Sequence, residues 1–422
     1  MTRYYNDREI ELKRLLEEEV GTLADLPDNL SQFKAGCVGE DVAHTDFYRS
    51  IGAMQRVVDY VQHGYVPDFA SFPPPMQELK NNKSAENNYT FVKSEIERML
   101  KAGVLEEVPH PPHIINPLSA VLSNKWRLVW DCYYLNDHLK RKGVVLDTLD
   151  DMIEVIEEHD FCSTSDLMAG YHQVKIRLSS RKFYGCHIWD REQQRYRYFQ
   201  SKVLVLGEAN MVAVFKDLIL PIVKEARKYM DVIFYVDDFF SRGRTEEDCR
   251  KNTRLLHRLL RRGGWVLNPE KTTTPATVCK FLGLLVNTET ERFTIPAGKL
   301  ERLVDKGHQL LNKQKFSSVR DLASFLGLLQ SCSRAIAIRI NFRTRSLHKA
   351  IEFSRSQRGG WKSPAILSRE AQDEVNFWLN LLPKNEGARY RKDPTITPTK
   401  VALAGDGSVN NTCDDDIVGV SF

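Results

Sequence analysis

The sequence predicts an α+β fold, and three observations carry that prediction. Between residues 81 and 295 short β-rich runs and helices follow one another without the regular βαβ repeat of a parallel sheet. After Pro296 the pattern turns helical. The composition, 42% hydrophobic and 27% charged over 422 residues, is that of a globular chain with room for roughly two to four domains. No apolar run reaches the roughly 18 residues of a membrane helix, and the charged N-terminus lacks a signal-peptide core. The chain is therefore expected to be intracellular, in cytoplasm or nucleus, with no membrane partner. Its eight cysteines are scattered without a Cys-x-x-Cys pair, which predicts free thiols and no zinc.

The elements follow in order. Glu9 to Val20 carries helix formers, and Phe47 to Gln62 places Ile51, Met54, Val57, Val58 and Val61 at helical spacing before Gly64 ends the pattern. The Pro-rich run VPDFASFPPPM cannot continue a helix and marks a boundary, so residues 1–80 are expected to be a helical extension and linker. Asn88 to Gly103 is predicted as a helix, Leu118 to Leu122 and Trp126 to Trp130 as strands. Asp160 to Ser165 and Val174 to Leu178 are predicted strands, and Phe183 to Ile188 pairs with Arg195 to Phe199 across a polar turn. Ala209 to Lys228 is helical, Asp231 to Phe234 is a strand, and Thr245 to Arg262 is an amphipathic helix with an arginine-rich outer face. Phe281 to Val286 and Arg292 to Ile295 are expected to form a hairpin. Helices are then predicted over 299–311, 318–335 and 368–382, the second capped by Ser317 or Ser318 and the third by Ser368. Past residue 395, VALAGDGSVN and IVGVSF are two predicted strands.

The net charge of +4 is unevenly spread: residues 301–362 hold 13 basic and 4 acidic residues, a net of +9, which leaves −5 for the remainder. Basic residues among apolar ones on helices suit a surface that follows a phosphate backbone, although a solvated helical face has the same composition.

Three carboxylates stand where β-rich runs end: Asp166 after FCSTS, and Asp237 with Asp238 after VIFYV. Phosphoryl transfer through two divalent cations about 3.5–4 Å apart needs such a set, because the ions must be neutralised while they clamp the attacking and leaving oxygens. Carboxylate and water oxygens suit Mg²⁺. An isolated Asp-Asp pair is more often a solvated turn, so the preceding strand is what gives this one weight.

With those residues in view the sequence resembles the reverse transcriptases of retroelements. YVDD at 235–238, STSDLMAGYHQV at 163–174, KWRLVWDCYYLN at 125–136, LGEANMVAVFKDLI at 206–219, NPEKT at 268–272 and FLGLLV at 281–286 occur in that family's order and at about its spacing. GYVPDF at 64–69, NNKSA at 81–85, the helix ending in GVLEEV and VRDLASFLGLL at 319–329 are similar to DIRS-type, tyrosine-recombinase retrotransposons, with gypsy-like elements the nearest alternative. The resemblance runs from about residue 50 to the end. It implies a right-hand polymerase: fingers and palm over 81–295, thumb and connection helices over 296–390, and the start of a ribonuclease H-like domain over 395–422.

The resemblance also implies roles. Asp166, Asp237 and Asp238 would hold two Mg²⁺ ions, with Mn²⁺ a possible substitute. Tyr171 would lie under the sugar of the incoming dNTP and exclude a 2′-hydroxyl. Arg127 and Lys125 would reach the triphosphate and base from the fingers, Gly207 would bend the backbone against template or nucleotide, and Lys271 would protonate departing pyrophosphate. Asp406 in GDGS would be the first ribonuclease H carboxylate; it alone of that set is recognisable, so ribonuclease H activity is not expected, and the chain is expected to be a fragment or truncated. The partners implied are an RNA template, a DNA primer or duplex, and dNTPs. Leu206, Met211-Val212 and Tyr133 depart from the family's usual residues beside the nucleotide pocket. A polymerase fold kept only as a nucleic-acid-binding scaffold is the competing reading.

Overall fold

The computed structural model describes residues 34–122, 126–312, 317–356 and 360–391. The expected helix over Glu9 to Val20, and the two strands expected past residue 395, lie outside the described residues.

At the centre is a three-stranded antiparallel sheet, β6 (Phe161–Asp166), β10 (Asp238–Gly243) and β9 (Val232–Tyr235), in the order β6-β10-β9. One face is covered by two helices, Met211–Ala226 and Glu246–Arg262. The first is apolar nearly all round, which is why it can be buried between the sheet and the N-terminal segment. The second carries a cap in which the Thr245 hydroxyl accepts from Asp248 N, three acids in its first turn and two arginines in its last, each favourable to the helix dipole. Beneath the hairpin, Arg242 donates to Asp160 and Asp231, both at 2.9 Å, so a buried guanidinium is matched by carboxylates.

A five-stranded sheet, in the order β1-β3-β7-β8-β2, lies to one side of the chain's centre; its members are β1 (Gln77–Glu78), β2 (Leu105–Val108), β3 (Ile114–Ile115), β7 (Gly185–Asp190) and β8 (Arg195–Ser201). The β7–β8 hairpin is the one predicted. β4 (Leu118–Leu122) and β5 (Trp126–Trp130) pair as a separate hairpin with the predicted ends. The helix expected over 88–103 runs Tyr89–Lys101, after a short helix Lys83–Asn87.

The expected single helix over 47–62 is two, Val42–Ser50 and Gln55–His63, and the break lets Tyr48, Val57, Val58 and Val61 all reach the core. These helices belong to the main hydrophobic cluster, packed against the two sheet-covering helices. Tyr48 makes the joint: its hydroxyl donates to Leu218 O at 2.9 Å and accepts from Trp265 Nε1 at 3.0 Å.

Two strand expectations need correction. Val174 to Leu178 forms single bridges to Val38, Tyr65 and Val203 in place of a ladder, because each neighbour meets it at one residue only and the chain turns into a 3₁₀ segment at Leu178. Phe281 to Val286 is not one strand. It folds back on itself as β11 (Val278–Phe281) and β12 (Leu284–Asn287), with Leu282 and Gly283 at φ 46° and 77° forming the two-residue loop, and β13 (Arg292–Thr294) adds to β12.

After Pro296 the helices Ala297–Leu311, Val319–Gln330, Arg345–Ser356 and Arg369–Leu381 enclose a second core around Phe325, Leu347 and Trp378. Ser318 caps the second through a reciprocal box with Asp321. That helix ends at Gln330 where 335 was expected, and a 3₁₀ turn Ser333–Ala335 follows. No helix among the described residues is long and apolar enough to cross a membrane. The seven described cysteines are buried free thiols.

Candidate active site

The carboxylates meet through backbone register. Asp238, first residue of β10, is the cross-strand partner of Asp166, last residue of β6, and also of Tyr235 on β9. The two-residue loop between β9 and β10 is Val236-Asp237, and Val236 takes φ 56°, a left-handed conformation that costs a β-branched residue about 1–3 kcal/mol. The tight turn sets Asp237 beside Asp238 at the end of the sheet. Three acids are thus fixed at one strand end by hydrogen-bonded neighbours, not by a free loop.

Their electrostatics follow. Burial and then the neighbouring charges of Asp237 and Asp166 push the Asp238 carboxyl up to about 6. Asp237 is raised by burial and by Asp166. Both shifts record carboxylates short of positive charge. Among the described residues the cation paired with these carboxylates is Lys271, whose Nζ donates to Asp166 Oδ2 at 2.8 Å and whose own pKa is raised chiefly by that bond. Lys271 is delivered by a short turn, Pro269–Lys271, capped where the Asn268 side chain accepts from Glu270 N. The segment is laced to β6: Asn268 N donates to Asp166 O, and Ser163 Oγ to Thr273 O.

Tyr171 joins the group from a 3₁₀ turn, Gly170–Gln173, entered through Ala169 at φ 48°. Its ring lies 5.0 Å from Phe215, and burial together with Asp237 pushes its phenol up to about 12. Gly170 is pressed against Phe215 and lies near Asp237, so this turn, the helix and the β9–β10 hairpin form one packed unit.

Gly207 sits at φ 127°, where a Cβ would stand 2.0 Å from Trp130 O. The close approach is to the chain's own β5, which is the immediate reason for glycine here. Arg127 is exposed on β5, three residues before Trp130; among the described residues no hydrogen bond or ion pair joins it to the carboxylates. Lys125 and Asp406 lie outside the described residues.

Three residues not singled out in the sequence belong to the site's frame. Asn136 donates to Gly207 O and accepts from Ala209 N, both at 2.8 Å. Glu208 is buried and accepts from the hydroxyls of Tyr65 at 2.7 Å and Tyr184 at 2.9 Å. Asn136 and Glu208 stand inside quoted motifs, so position was their available signal. His257, from the sheet-covering helix 246–262, hydrogen-bonds Ser165 at 2.7 Å directly behind Asp166.

Burial holds the His257 imidazole down to about 4, against an ordinary 6.5. As pH falls the unfolded chain takes up this proton first, so His257 costs the fold stability progressively from about 6.5 down to about 4. His257→Gln should therefore flatten the decline of melting temperature over that window, by the equivalent of about 3 kcal/mol. Identical slopes in wild type and variant would show that His257 titrates normally.

Hard oxygen donors at one strand end fit a divalent cation such as Mg²⁺ in chemistry. Among the described residues no three acidic, histidine or cysteine side chains close around one point, and one oxygen of Asp166 is held by Lys271. Ligation would require the side chains to turn toward a common ion.

Comparison with known proteins adds to this geometry. Residues 113–286 match the family described as reverse transcriptase (RNA-dependent DNA polymerase). The retrovirus-related Pol polyprotein from transposon 412 of Drosophila melanogaster is 24% identical over 216 residues, covering 48% of this chain and 16% of the polyprotein. The chain thus spans about a sixth of that relative's length. Among solved structures, the foamy viral protease-reverse transcriptase in complex with dsDNA is similar with TM-score 0.58 and 16% identity, over 84% of this chain and 73% of that one. The same viral protein in complex with an RNA/DNA hybrid gives TM-score 0.59 and 17% identity, over 82% and 46%. The fold is the right-hand polymerase fold that the sequence predicts.

Proposed function

We propose that the chain is an RNA-directed DNA polymerase, the reverse transcriptase of a retrotransposon, which extends a DNA primer on an RNA or DNA template by nucleotidyl transfer. The observation that carries this is the register that sets Asp238 opposite Asp166 with Asp237 in the adjoining turn and Lys271 within reach. Asp166, Asp237 and Asp238 would hold the metal. Two Mg²⁺ ions, or Mn²⁺ in their place, would lower the pKa of the primer hydroxyl and neutralise the triphosphate.

The remaining chemistry belongs to side chains. Lys271, whose pKa Asp166 raises, would give its proton to the departing pyrophosphate. Tyr171, braced by Phe215, would close the floor under the sugar. Arg127, with Lys125, would meet the triphosphate from the β4–β5 hairpin, a task suited to a planar guanidinium. Gly207 and its neighbours would form the wall of the nucleotide pocket. Residues 81–295 would be fingers and palm, and the basic helices over 296–390 a thumb lying along the duplex phosphates, so that binding weakens with salt. Residues 1–80 would be an extension of which 34–65 is built into the palm, and 395–422, with Asp406, the start of a ribonuclease H-like domain. Motifs beyond the palm favour a DIRS-type element over a gypsy-like one.

The direct test is primer extension on poly(rA)/oligo(dT) with dTTP and Mg²⁺, which should yield elongated product. Duplex binding without any extension would favour the scaffold reading. Extension on a DNA template with none on an RNA template of the same sequence would remove the RNA-directed part. In the same assay Tyr171→Ala should raise ribonucleotide use relative to dNTP by roughly 10- to 100-fold, the range that one misfitting group commands in a pocket. An unchanged ratio would take the gate away from Tyr171.

A further inference from the structure

A second charged site lies away from the carboxylates. A cleft of about 360 Å³ opens between the N-terminal segment, the loop after Leu139 and the buried helix 211–226, and is lined by Arg56, Asp68, Lys140, Lys142, Lys216 and Asp217. It is on the far side of that helix from the catalytic centre. Phe215 faces Tyr171, and at 3.6 residues per turn Asp217 falls about 200° round from it.

The charges do not cancel. Arg56 is matched to Asp217 at 2.6 Å, but Lys142 stands 3.9 Å from Asp68 and makes no hydrogen bond with it. The Lys142 ammonium nitrogen is buried and, among the described residues, has no hydrogen-bond partner. Lys140 and Lys216 make no ion pair among the described residues. The cleft therefore carries a net charge of two cations, and the Lys142 ammonium, near the carboxylates of Asp68 and Glu208 but hydrogen-bonded to neither, keeps donors that an anion would satisfy. The Lys142 backbone is fixed, since its N–H donates to Asn210 Oδ1 at 3.0 Å, so the charge is held in place.

We infer that this cleft binds a phosphate group through Lys142, Lys140 and Lys216. The phosphate comes either from a nucleic-acid strand passing the outer side of the palm or from a free polyphosphate. The first source rests on the polymerase reading; the anion chemistry does not.

The test has two arms, each on wild type, Lys142→Gln and Lys216→Gln, with melting temperature read for all three. In the first, a labelled duplex with a single-stranded 5′ template overhang and its blunt-ended counterpart are titrated across salt concentrations. A strand phosphate in the cleft lowers the salt slope by roughly 0.7 per lost contact, for the overhang substrate only. In the second, tripolyphosphate is titrated calorimetrically in the absence of nucleic acid. A free-anion site gives binding that falls at least about tenfold in both variants while the overhang slope stays put. If neither readout moves in the rim variant Lys216→Gln, which does not depend on the buried position, the proposal is wrong. A wild type that binds no nucleic acid but does bind tripolyphosphate would sink the polymerase reading and keep the cleft.

Discussion

Asp237→Asn is expected to abolish nucleotide addition while the protein stays folded and, at neutral pH, becomes slightly more stable. The two halves of that result have one cause. Asp166, Asp237 and Asp238 are crowded at one strand end with Lys271 as the cation among them, and Asp237 and Asp238 are both raised above ordinary carboxyl values. A carboxyl whose pKa is higher folded than unfolded holds its proton longer in the native state, so its burden on the fold appears as pH rises from the unfolded value through the folded one, which is about 6 for Asp238, and is complete above that. Removing one charge relieves the repulsion by something on the order of 1 kcal/mol. In the polymerase reading it would also take away an oxygen donor for the metal ion, and with it several kcal/mol of transition-state charge stabilisation, or roughly a 10³-fold loss in rate.

The same cause gives a metal readout independent of turnover. Mg²⁺ at ten times its dissociation constant should raise the wild-type melting transition by the equivalent of about 1.4 kcal/mol, and less in the variant. Primer extension, melting at pH 7 and melting with Mg²⁺ together decide the matter. A variant that extends primers like wild type, or one that simply unfolds, would sink this account of the site.

The β9–β10 hairpin was legible because its signals are local. A strand of Val, Ile and Phe ends in two acids, a second β-rich run ends in Asp166, and period-2 geometry leaves little choice about where they meet. What escaped depends on partners far along the chain or on unfavourable conformations. Nothing near Glu208 announces that its carboxylate is buried between Tyr65, 143 residues away, and Tyr184, 24 away. FLGLLV reads as one strand because its six residues are apolar but for Gly283. Its turn needs Leu282 at φ 46°, which a sequence pattern argues against and packing of Phe281 and Leu284 into the core imposes. The helix Arg345–Ser356 was missed because its buried side is only Leu347, Ala350 and Ser354 within a basic stretch, too narrow a stripe to stand out. Gly207 was found for an incomplete reason: the family motif marks the position, while the obstacle to a side chain is the carbonyl of Trp130.

That obstacle makes Gly207→Ala a strongly damaging substitution for a single added methyl. The new Cβ would lie 2.0 Å from Trp130 O, well inside contact distance, at a φ of 127° that only glycine adopts without strain. Relief would have to come from moving either β5 or the 206–210 loop. The loop is poorly placed to yield, since four successive residues are anchored: Gly207 O and Ala209 N by Asn136, Glu208 by two tyrosine hydroxyls, and Asn210 by Lys140 O at 2.9 Å. β5 is held by its full pairing with β4. Strain of about 1–3 kcal/mol for the backbone, with overlap added, gives an expected loss of about 3 kcal/mol or more. The melting temperature should fall by at least about 6 °C on that basis. Because the displaced loop also lines the pocket in the polymerase reading, KM for dNTP should rise more than kcat falls. Asn136→Ala cuts the same anchors without adding bulk, and should reproduce the KM change with a smaller stability loss of about 1–3 kcal/mol. If Gly207→Ala melts and binds dNTP like wild type, the loop moves freely and the clamp drawn from these contacts does not hold it. If stability falls but KM in both variants is unchanged, the loop is a structural brace and the nucleotide lies elsewhere.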